Sequence, residues 1–377
     1  MRSAKIFIPV LFIILPFLLT GCIKIKTGSE AGVTGGFFVT QDSGEKWVSR
    51  SGIFVSDGVP KSFIGSNVTK LVFDPQDAAA VYLGTQNNGL YYSYNYGQGW
   101  HNTLADKGAI NDVVVHPKDK CTIYAAVHNR IWRTDDCSRT WTDLYFESRE
   151  RKYITALGIN YQDPNVVYAA NNEGAFLRSL DQGKSWDVLY RLPSGIKQII
   201  IQNHSDNNII YAVTNTKGVW RSNDAGITWE DLMAKTVYEL ETVKEGERTM
   251  TAIKKTDEDK PFFKISGVSD AQVAATDVSQ ADSLIYANRI GMFRFVSDHW
   301  EQYPLLTPKN KEAIYSLTVN PKDGNDIYYG TANALYHTID NGANWTIKEL
   351  PTKRAAGVLQ FAAEGKLLYL GAYQVEK

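Results

Sequence analysis

Apolar residues occur along this chain in short runs, most of which alternate with polar residues and are separated by polar turns. An alternation of period two is typical of half-buried β-strands. Pairs of such strands recur around an Asp/Asn-Pro-type turn, as in LVFDPQDAAAVYLGT and LTVNPKDGNDIYYGT. The second strand of each pair carries a tyrosine: Tyr82, Tyr124, Tyr168, Tyr211, Tyr286, Tyr328 and Tyr369. The pattern predicts an all-β protein.

Each pair of strands is followed by a third strand, a turn with the pattern Ser/Thr-x-Asp-x-Gly-x-x-Trp, and a fourth strand. We call these segments box turns; they begin at Thr40, Ser93, Thr134, Ser179, Ser222 and Thr338. The third position is held by Asp42, Asn95, Asp136, Asp181, Asp224 and Asp340, and the last by Trp47, Trp100, Trp141, Trp186, Trp229 and Trp345. A worn seventh copy, FVSDHW, ends at Trp300. We expect Asp to accept backbone N–H bonds, Gly to supply a positive φ and Trp to pack under the turn, a structural role.

The four-strand unit repeats about every 43 residues where nothing is inserted. Four antiparallel strands at this period form one propeller blade. The segment GGFFVTQDSGEKW contains only a third and a fourth strand, and VLQFAAEGKLLYLGAY contains only a first and a second. The sequence therefore predicts one domain, residues 37–377: a seven-bladed β-propeller of four-stranded antiparallel blades. Its last blade is closed by strands from both termini, which removes exposed edges.

The N-terminus predicts export. Arg2 and Lys5 precede an apolar run from Ile6 to Leu19 that is short for a membrane span. The sequence Leu19-Thr20-Gly21-Cys22 resembles the bacterial lipobox, which implies a signal peptide over 1–21 and a lipid on Cys22. Residues 22–36 would be a lipidated, flexible tether to a bacterial cell membrane, with the protein extracytoplasmic. The alternative is an ordinary secretory signal that ends in Gly-Cys.

Two further cysteines lie in the third unit. The midpoint between Cys121 and Cys137 falls in the hairpin turn His128–Arg130, so the two residues should face one another across the hairpin. In an oxidising compartment this predicts a disulfide. It would brace the one box turn in which Ser138 replaces Gly. Two reduced, buried thiols are the alternative.

One interval is about 30 residues longer than the others. The extra segment lies at about 235–270, and residues 236–255 alternate around Lys244-Glu245-Gly246-Glu247, which predicts a protruding hairpin. We call this hairpin the arm. The order of strands places it on the face opposite the box turns. It is either a decoration of the blade or a contact for a partner.

The box turns resemble the Asp-box, or bacterial neuraminidase repeat. Among single seven-bladed propellers with such repeats, the chain resembles the photosystem II stability/assembly factor-like family and, more distantly, the sortilin-type propeller. The resemblance implies a protein-binding or assembly scaffold. Its partner would be a membrane-associated or envelope protein, besides the membrane that is reached through the lipid on Cys22.

Composition and residue spacing give no sign of nucleic-acid, metal or cofactor binding. The 40 Lys and Arg residues nearly balance the 41 Asp and Glu residues, so nothing indicates nucleic-acid binding. The six histidines do not fall at ligand spacing, and we expect no metal and no cofactor.

Asp-boxes also occur in sialidases and in xyloglucan-cleaving hydrolases, so a carbohydrate-binding or glycoside-hydrolysing propeller is the alternative function. The string closest to the sialidase Arg-Ile-Pro motif is Arg191-Leu192-Pro193, in the middle of the chain. Xyloglucanases of this type face two propellers across a cleft, and this chain has one. The sequence therefore predicts no catalytic residue and no enzyme.

Overall fold

The computed structural model describes residues 35–54, 61–202, 209–246, 248–254, 265, 272–277, 282–308 and 311–375. These residues belong to one compact unit that spans residues 33–377. The predicted signal peptide and Cys22 lie outside the described residues, so export and lipid attachment stay predictions. Within the described ranges, no helix is long and apolar enough to cross a membrane.

The strands of the first half follow one another in chain order. The N-terminal strands are β1 (Phe37–Thr40), β2 (Val48–Ser49), β3 (Gly52–Ile53) and β4 (Lys61–Ser62). Blade 2 consists of β5 (Val68–Phe73), β6 (Val81–Thr85), β7 (Leu90–Ser93) and β8 (His101–Thr103). Blade 3 consists of β9 (Ile110–Val115), β10 (Ile123–Val127), β11 (Arg130–Thr134) and β12 (Thr142–Phe146). Blade 4 consists of β13 (Ile154–Ile159), β14 (Val167–Asn171), β15 (Ala175–Ser179) and β16 (Asp187–Arg191).

The second half contains the arm. Blade 5 consists of β17 (Ile196–Ile201), β18 (Ile210–Thr214), β19 (Val219–Ser222) and β20 (Glu230–Asp231), followed by a 3-10 turn at Leu232–Ala234. The arm consists of β21 (Val237–Glu245) and β22 (Arg248–Ile253), and blade 6 of β23 (Val273–Thr276), β24 (Leu284–Ala287), β25 (Met292–Val296) and β26 (His299–Gln302). Blade 7 consists of β27 (Ser316–Asn320), β28 (Asp323–Gly330), β29 (Ala334–Thr338) and β30 (Thr346–Glu349), and the last strands are β31 (Ala355–Phe361) and β32 (Leu368–Tyr373).

The two termini share a blade. The strands β31, β32, β1 and β2 form blade 1, in which β1 pairs antiparallel with β32 and Val39 lies opposite Tyr369. The chain thus forms seven four-stranded antiparallel blades, closed from both ends, and the predicted fold is confirmed. First strands of neighbouring blades pack side by side, from β31 through β5, β9 and β13 to β17.

The core lies between adjacent blades, because each blade packs a face against the next. Second strands are buried, apart from the first residues of β28 and the last residue of β32, and each of the seven strand tyrosines is at most 1% exposed. One of the apolar clusters joins Tyr124 and Ile131 of blade 3 to Leu157 and Val167 of blade 4. The buried tyrosine at a fixed place in each unit therefore helps to pack one blade against the next.

The predicted seventh box turn is wrong. In blade 6 only Ser297 and Asp298 separate β25 from β26, and Val296 pairs with His299 directly across this turn. Such a two-residue hairpin leaves no space for the longer box. Trp300 consequently lies inside β26 instead of following a box.

The arm is a hairpin, as predicted, but its position needs a correction. Strand β21 pairs antiparallel with β22 and in parallel with β26, where Val237 lies opposite Trp300. Farther along β21, the Thr242 hydroxyl donates to the Ala343 carbonyl of the blade 7 box turn, at 3.1 Å. The arm extends the outer edge of blade 6, because the fourth strand offers unpaired main-chain groups there. It is therefore not confined to the face opposite the box turns.

Candidate functional site

The six box turns share one hydrogen-bond pattern. The first hydroxyl accepts the N–H of the fifth residue at 2.7 to 3.1 Å. It donates to the Asp or Asn oxygen at 2.7 to 2.8 Å. The same oxygen accepts the N–H of the seventh residue at 2.8 to 3.1 Å. In each of these turns the Asp or Asn oxygen thus accepts a backbone N–H group and the hydroxyl of the first residue.

These bonds also fix the protonation state of the acids. Bonds from the Thr140 side chain and main chain lower the pKa of Asp136 to about 2. The equivalent bonds from Ser185 lower the pKa of Asp181 to about 2. Carboxylates of this kind are ionised at neutral pH and only accept hydrogen bonds. The bonds therefore favour the ionised form of Asp136 and Asp181, the form that accepts the hydrogen bonds of the turn.

The residue after each Asp or Asn was missed by the sequence analysis. It has a φ between 52° and 61° in all six box turns, and six different residues occupy it: Ser43, Tyr96, Cys137, Gln182, Ala225 and Asn341. No shared residue type signals it. In blade 4 its carbonyl, that of Gln182, accepts bonds from Tyr124 at 3.0 Å and Arg133 at 3.1 Å, both on blade 3. The box turn therefore also links two blades.

Blade 6 makes the same link without a box turn. The carboxylate of Asp282, in the turn between β23 and β24, accepts the Tyr211 hydroxyl at 2.6 Å and the Arg221 guanidinium at 3.0 Å. Tyr211 and Arg221 of blade 5 correspond in position to Tyr124 and Arg133 of blade 3. A side-chain carboxylate thus replaces a main-chain carbonyl.

The predicted disulfide is present. Cys121 and Cys137 are bonded to one another, and the Cys137 N–H donates to the Cys121 carbonyl at 3.2 Å. The bridge adjoins Ser138, whose φ of 68° lies in the region that favours glycine. It therefore braces the one box turn that lacks its glycine.

The seven tryptophans that the repeat pattern singles out, among the nine of the chain, fall into two groups. Trp100 and Trp300 are fully buried, and the other five, Trp47, Trp141, Trp186, Trp229 and Trp345, are partly exposed. Both buried rings lie under an additional strand. The Phe54 N–H donates to the Trp100 carbonyl just beyond β3, and the Trp300 N–H donates to the Thr236 carbonyl just before β21. Connections between blades cover these two tryptophans.

A cavity of about 220 Å³ lies where the arm meets blade 6. Its walls come from β21, from the turn between β24 and β25, and from the connection that leaves β26 toward blade 7. The Asn288 side chain holds the turn by accepting the N–H groups of Ile290 at 2.8 Å and Gly291 at 3.2 Å. The cavity is thus bordered by inter-strand connections and by the inserted arm.

The cavity combines apolar and acidic side chains. Leu240, Leu305 and Ile314 contribute apolar surface, and Glu239 and Glu312 contribute carboxylates. Glu312 accepts a hydrogen bond from Asn333 at 3.2 Å, and Glu239 pairs with Lys254 at 3.7 Å. Across the described ranges, no cluster of three or more His, Cys, Asp or Glu side chains could hold a metal ion.

The fold places this chain in the class of seven-bladed β-propellers. No family profile and no curated protein matches the chain. Among solved structures, the GH74 xyloglucanase from Xanthomonas campestris is similar with a TM-score of 0.59 and 16% identity, over 82% of this chain and 51% of the enzyme. The chain therefore spans about half the length of that enzyme.

Two further solved structures are similar over nearly their whole length. YCF48 from Cyanidioschyzon merolae has a TM-score of 0.58 and 12% identity, over 81% of this chain and 95% of YCF48. YCF48 bound to a D1 peptide has a TM-score of 0.53 and 15% identity, over 83% and 94%. At these identities the likeness establishes the fold alone.

The prediction that the chain is not an enzyme is wrong as it stands. Solved structures with this fold include GH74 glycoside hydrolases, one of them the xyloglucanase above. The prediction relied on the absence of sialidase motifs and of a second propeller, and neither absence excludes catalysis on a single propeller. The site, not the fold, has to decide between the functions.

Proposed function

We propose that this chain is an extracytoplasmic lipoprotein that binds another protein and serves as an assembly scaffold. The lipid would be attached to Cys22, as the sequence Leu19-Thr20-Gly21-Cys22 indicates. The partner would be a membrane-associated or envelope protein within reach of the tether. A protein of similar fold, YCF48, has been solved with a bound D1 peptide, which supports a protein ligand for this kind of propeller.

The observation that carries the proposal is the arm at the rim of blade 6. It extends a blade beyond its four strands and borders the cavity, and the apolar side chains of Met250 and Ile253 are exposed on it. Exposed apolar groups on an inserted connection are typical of recognition surfaces. The repeated box turns, in contrast, use their polar groups within the turn and, in blade 4, to bond the neighbouring blade.

Cross-linking in the native membrane tests protein binding. A photo-reactive residue replaces Met250 on the arm or, as the matched control, Val188 on β16 of blade 4, which is similarly exposed at 45% against 41%. We expect one specific protein adduct from position 250 and none from position 188. Equal adducts from both positions, or none from either, would contradict the proposal.

Metabolic labelling tests the anchor. The wild-type chain should incorporate radioactive palmitate, and Cys22→Ala should not. The variant should also remain uncleaved or become soluble. Labelling of Cys22→Ala would show that the lipid lies elsewhere.

A second candidate is a glycan-binding or glycan-hydrolysing propeller. It is favoured by two carboxylates, Glu239 and Glu312, that line one cavity, since glycoside hydrolysis commonly uses a pair of acidic side chains. The fold shared with GH74 enzymes supports testing xyloglucan first. Release of reducing sugar by the wild type, and its loss in Glu312→Gln, would establish this function; the absence of release and of binding would remove it for xyloglucan.

A further inference from the structure

The hydrogen bonds of the arm define which main-chain groups of β22 face outward. The Lys254 N–H donates to the Glu239 carbonyl at 2.8 Å, so these two residues form a hydrogen-bonded pair. The next pair along the ladder is Leu240–Ile253, and the pairing continues in the same register to Glu245–Arg248. In an antiparallel ladder, hydrogen-bonded and non-hydrogen-bonded pairs alternate. Met250 and Ala252 therefore bond to β21. The N–H and C=O groups of Thr249, Thr251 and Ile253 point to the other side.

In the part of the chain that the structure describes, no strand pairs with that outer side, and β22 ends its six-stranded sheet. Its residues Thr249–Ile253 carry no charge. The outer strands of other blades are either charged, through Asp143, Asp187, Glu230 and Lys348, or only two or three residues long, as in β2 and β8. Charge and short length are the usual protections of a free edge. The arm has neither along this stretch.

We propose that the outer edge of β22 binds an extended segment of a partner polypeptide by β-strand addition. The inference rests on the proposed protein-binding function and specifies how the partner is held. The outward N–H donors and C=O acceptors of Thr249, Thr251 and Ile253 alternate along the strand. The main chain of an extended polypeptide presents the matching acceptors and donors. Side chains of the added strand would lie beside Met250 and Ile253, which are 41% and 44% exposed.

A second copy of this chain fits the edge less well than a different polypeptide. Two β22 strands paired antiparallel about Thr251 would place Arg248 opposite Lys254 at both ends. Like charges directly opposite one another destabilise a strand pair. A partner strand with acidic or neutral residues at these positions avoids the repulsion. The proposed occupant is therefore a heterologous extended segment.

A proline at position 251 removes one outward donor and blocks the edge, and it leaves the bonds from β22 to β21 intact. Thr251→Ala is the matched control, because it shortens the side chain and keeps the N–H. The probe is the synthetic peptide VYELETVKE, the sequence of β21, which already complements this strand in the fold. Its N-methylated form, which lacks alternate donors, is the control for the peptide.

We expect saturable binding of the peptide to the full-length protein, at least tenfold weaker for Thr251→Pro and for the N-methylated peptide, and unchanged for Thr251→Ala. Hydrogen exchange should slow at the amides of Thr249, Thr251 and Ile253. Binding that persists in Thr251→Pro, or protection without this alternation, would overturn strand addition. If the adduct from position 250 then also survives in Thr251→Pro, protein binding stands and only its mode is wrong.

Discussion

Blades 4 and 6 each contain four antiparallel strands in the same order. They differ in the bond to the preceding blade and in what covers the outer strand. Blade 4 reaches blade 3 through the main-chain carbonyl of Gln182 in its box turn, whereas blade 6 reaches blade 5 through the carboxylate of Asp282. Trp186 is partly exposed at the rim of blade 4. Trp300, on the fourth strand of blade 6, is buried under β21.

The difference teaches that the box turn performs two separable tasks. It closes the hairpin between the third and fourth strands, and it presents an acceptor to the preceding blade. Blade 6 closes its hairpin with Ser297 and Asp298 and supplies the acceptor from another turn. An extra strand at the edge does not require loss of the box turn, because β3 bonds to Trp100 of blade 2, which keeps its box, as β21 bonds to Trp300 of blade 6.

The largest expected difference in unfolding free energy is between variants of Trp300 and Trp186. Trp300 packs on Phe295 and donates its indole N–H to the Leu232 carbonyl at 2.8 Å, fully buried. We expect Trp300→Ala to lose about 3 to 5 kcal/mol of unfolding free energy. Trp186→Ala should lose clearly less, because its ring already contacts solvent. Urea unfolding measures both, and equal losses would show that the covering strand adds nothing.

The second largest difference in unfolding free energy should come from the two acceptors that link neighbouring blades, Asp282 and Gln182. Asp282→Ala removes the partner of the Tyr211 hydroxyl and one partner of Arg221, and we expect a loss of about 2 kcal/mol. Gln182→Ala keeps the carbonyl that accepts from Tyr124 and Arg133 and removes only the side-chain bonds to Arg133 at 3.0 Å and Asn165 at 2.8 Å, so its loss should be about 1 kcal/mol. Ala225 already occupies the equivalent position in blade 5. A greater loss in Gln182→Ala than in Asp282→Ala would contradict the proposed exchange of acceptors.

A matched pair of valines compares a covered rim with an open one. Val237 in β21 is fully buried over Trp300, and Val188 in β16 of blade 4 is 45% exposed. Val237→Ala deletes two buried carbon atoms and leaves a gap, at about 2 kcal/mol. Val188→Ala should remain within about 0.5 kcal/mol of the wild type. If thermal melting shifts equally in both, β21 does not stabilise blade 6.

Much of this fold could be predicted because its signals are local. The strand tyrosines and the box turns repeat at a fixed distance, and the incomplete units at Phe37 and Tyr369 require closure of the ring. The disulfide followed from the symmetry of Cys121 and Cys137 about one turn.

The rest depends on contacts between segments far apart in the sequence. Nothing near Asp282 marks it as a substitute for a box carbonyl, since its partners lie more than 60 residues earlier. The cover over Trp300 comes from an insertion whose pairing partner cannot be read from its own alternation. For the same reason the arm was assigned to one face, although it lies along the rim.

The smallest expected difference concerns the response of stability to acid, because the box carboxylates are partly or fully exposed and are screened by water. Bonds from Ser185 lower the pKa of Asp181 in blade 4 to about 2, from an ordinary value of 3.8. The lowered pKa means that this carboxylate stabilises the fold above its ordinary pKa, and that the contribution is lost as the pH falls toward 2.

Asp181→Asn should therefore flatten the fall of stability between about pH 4 and pH 2. The reverse change, Asn95→Asp in blade 2, should steepen it. Urea midpoints measured across this range test both changes, and parallel curves for all three proteins would mean that the bond from the turn to the carboxylate contributes nothing measurable. Blade 6, which has no box turn, would then not differ from blade 4 in its response to acid.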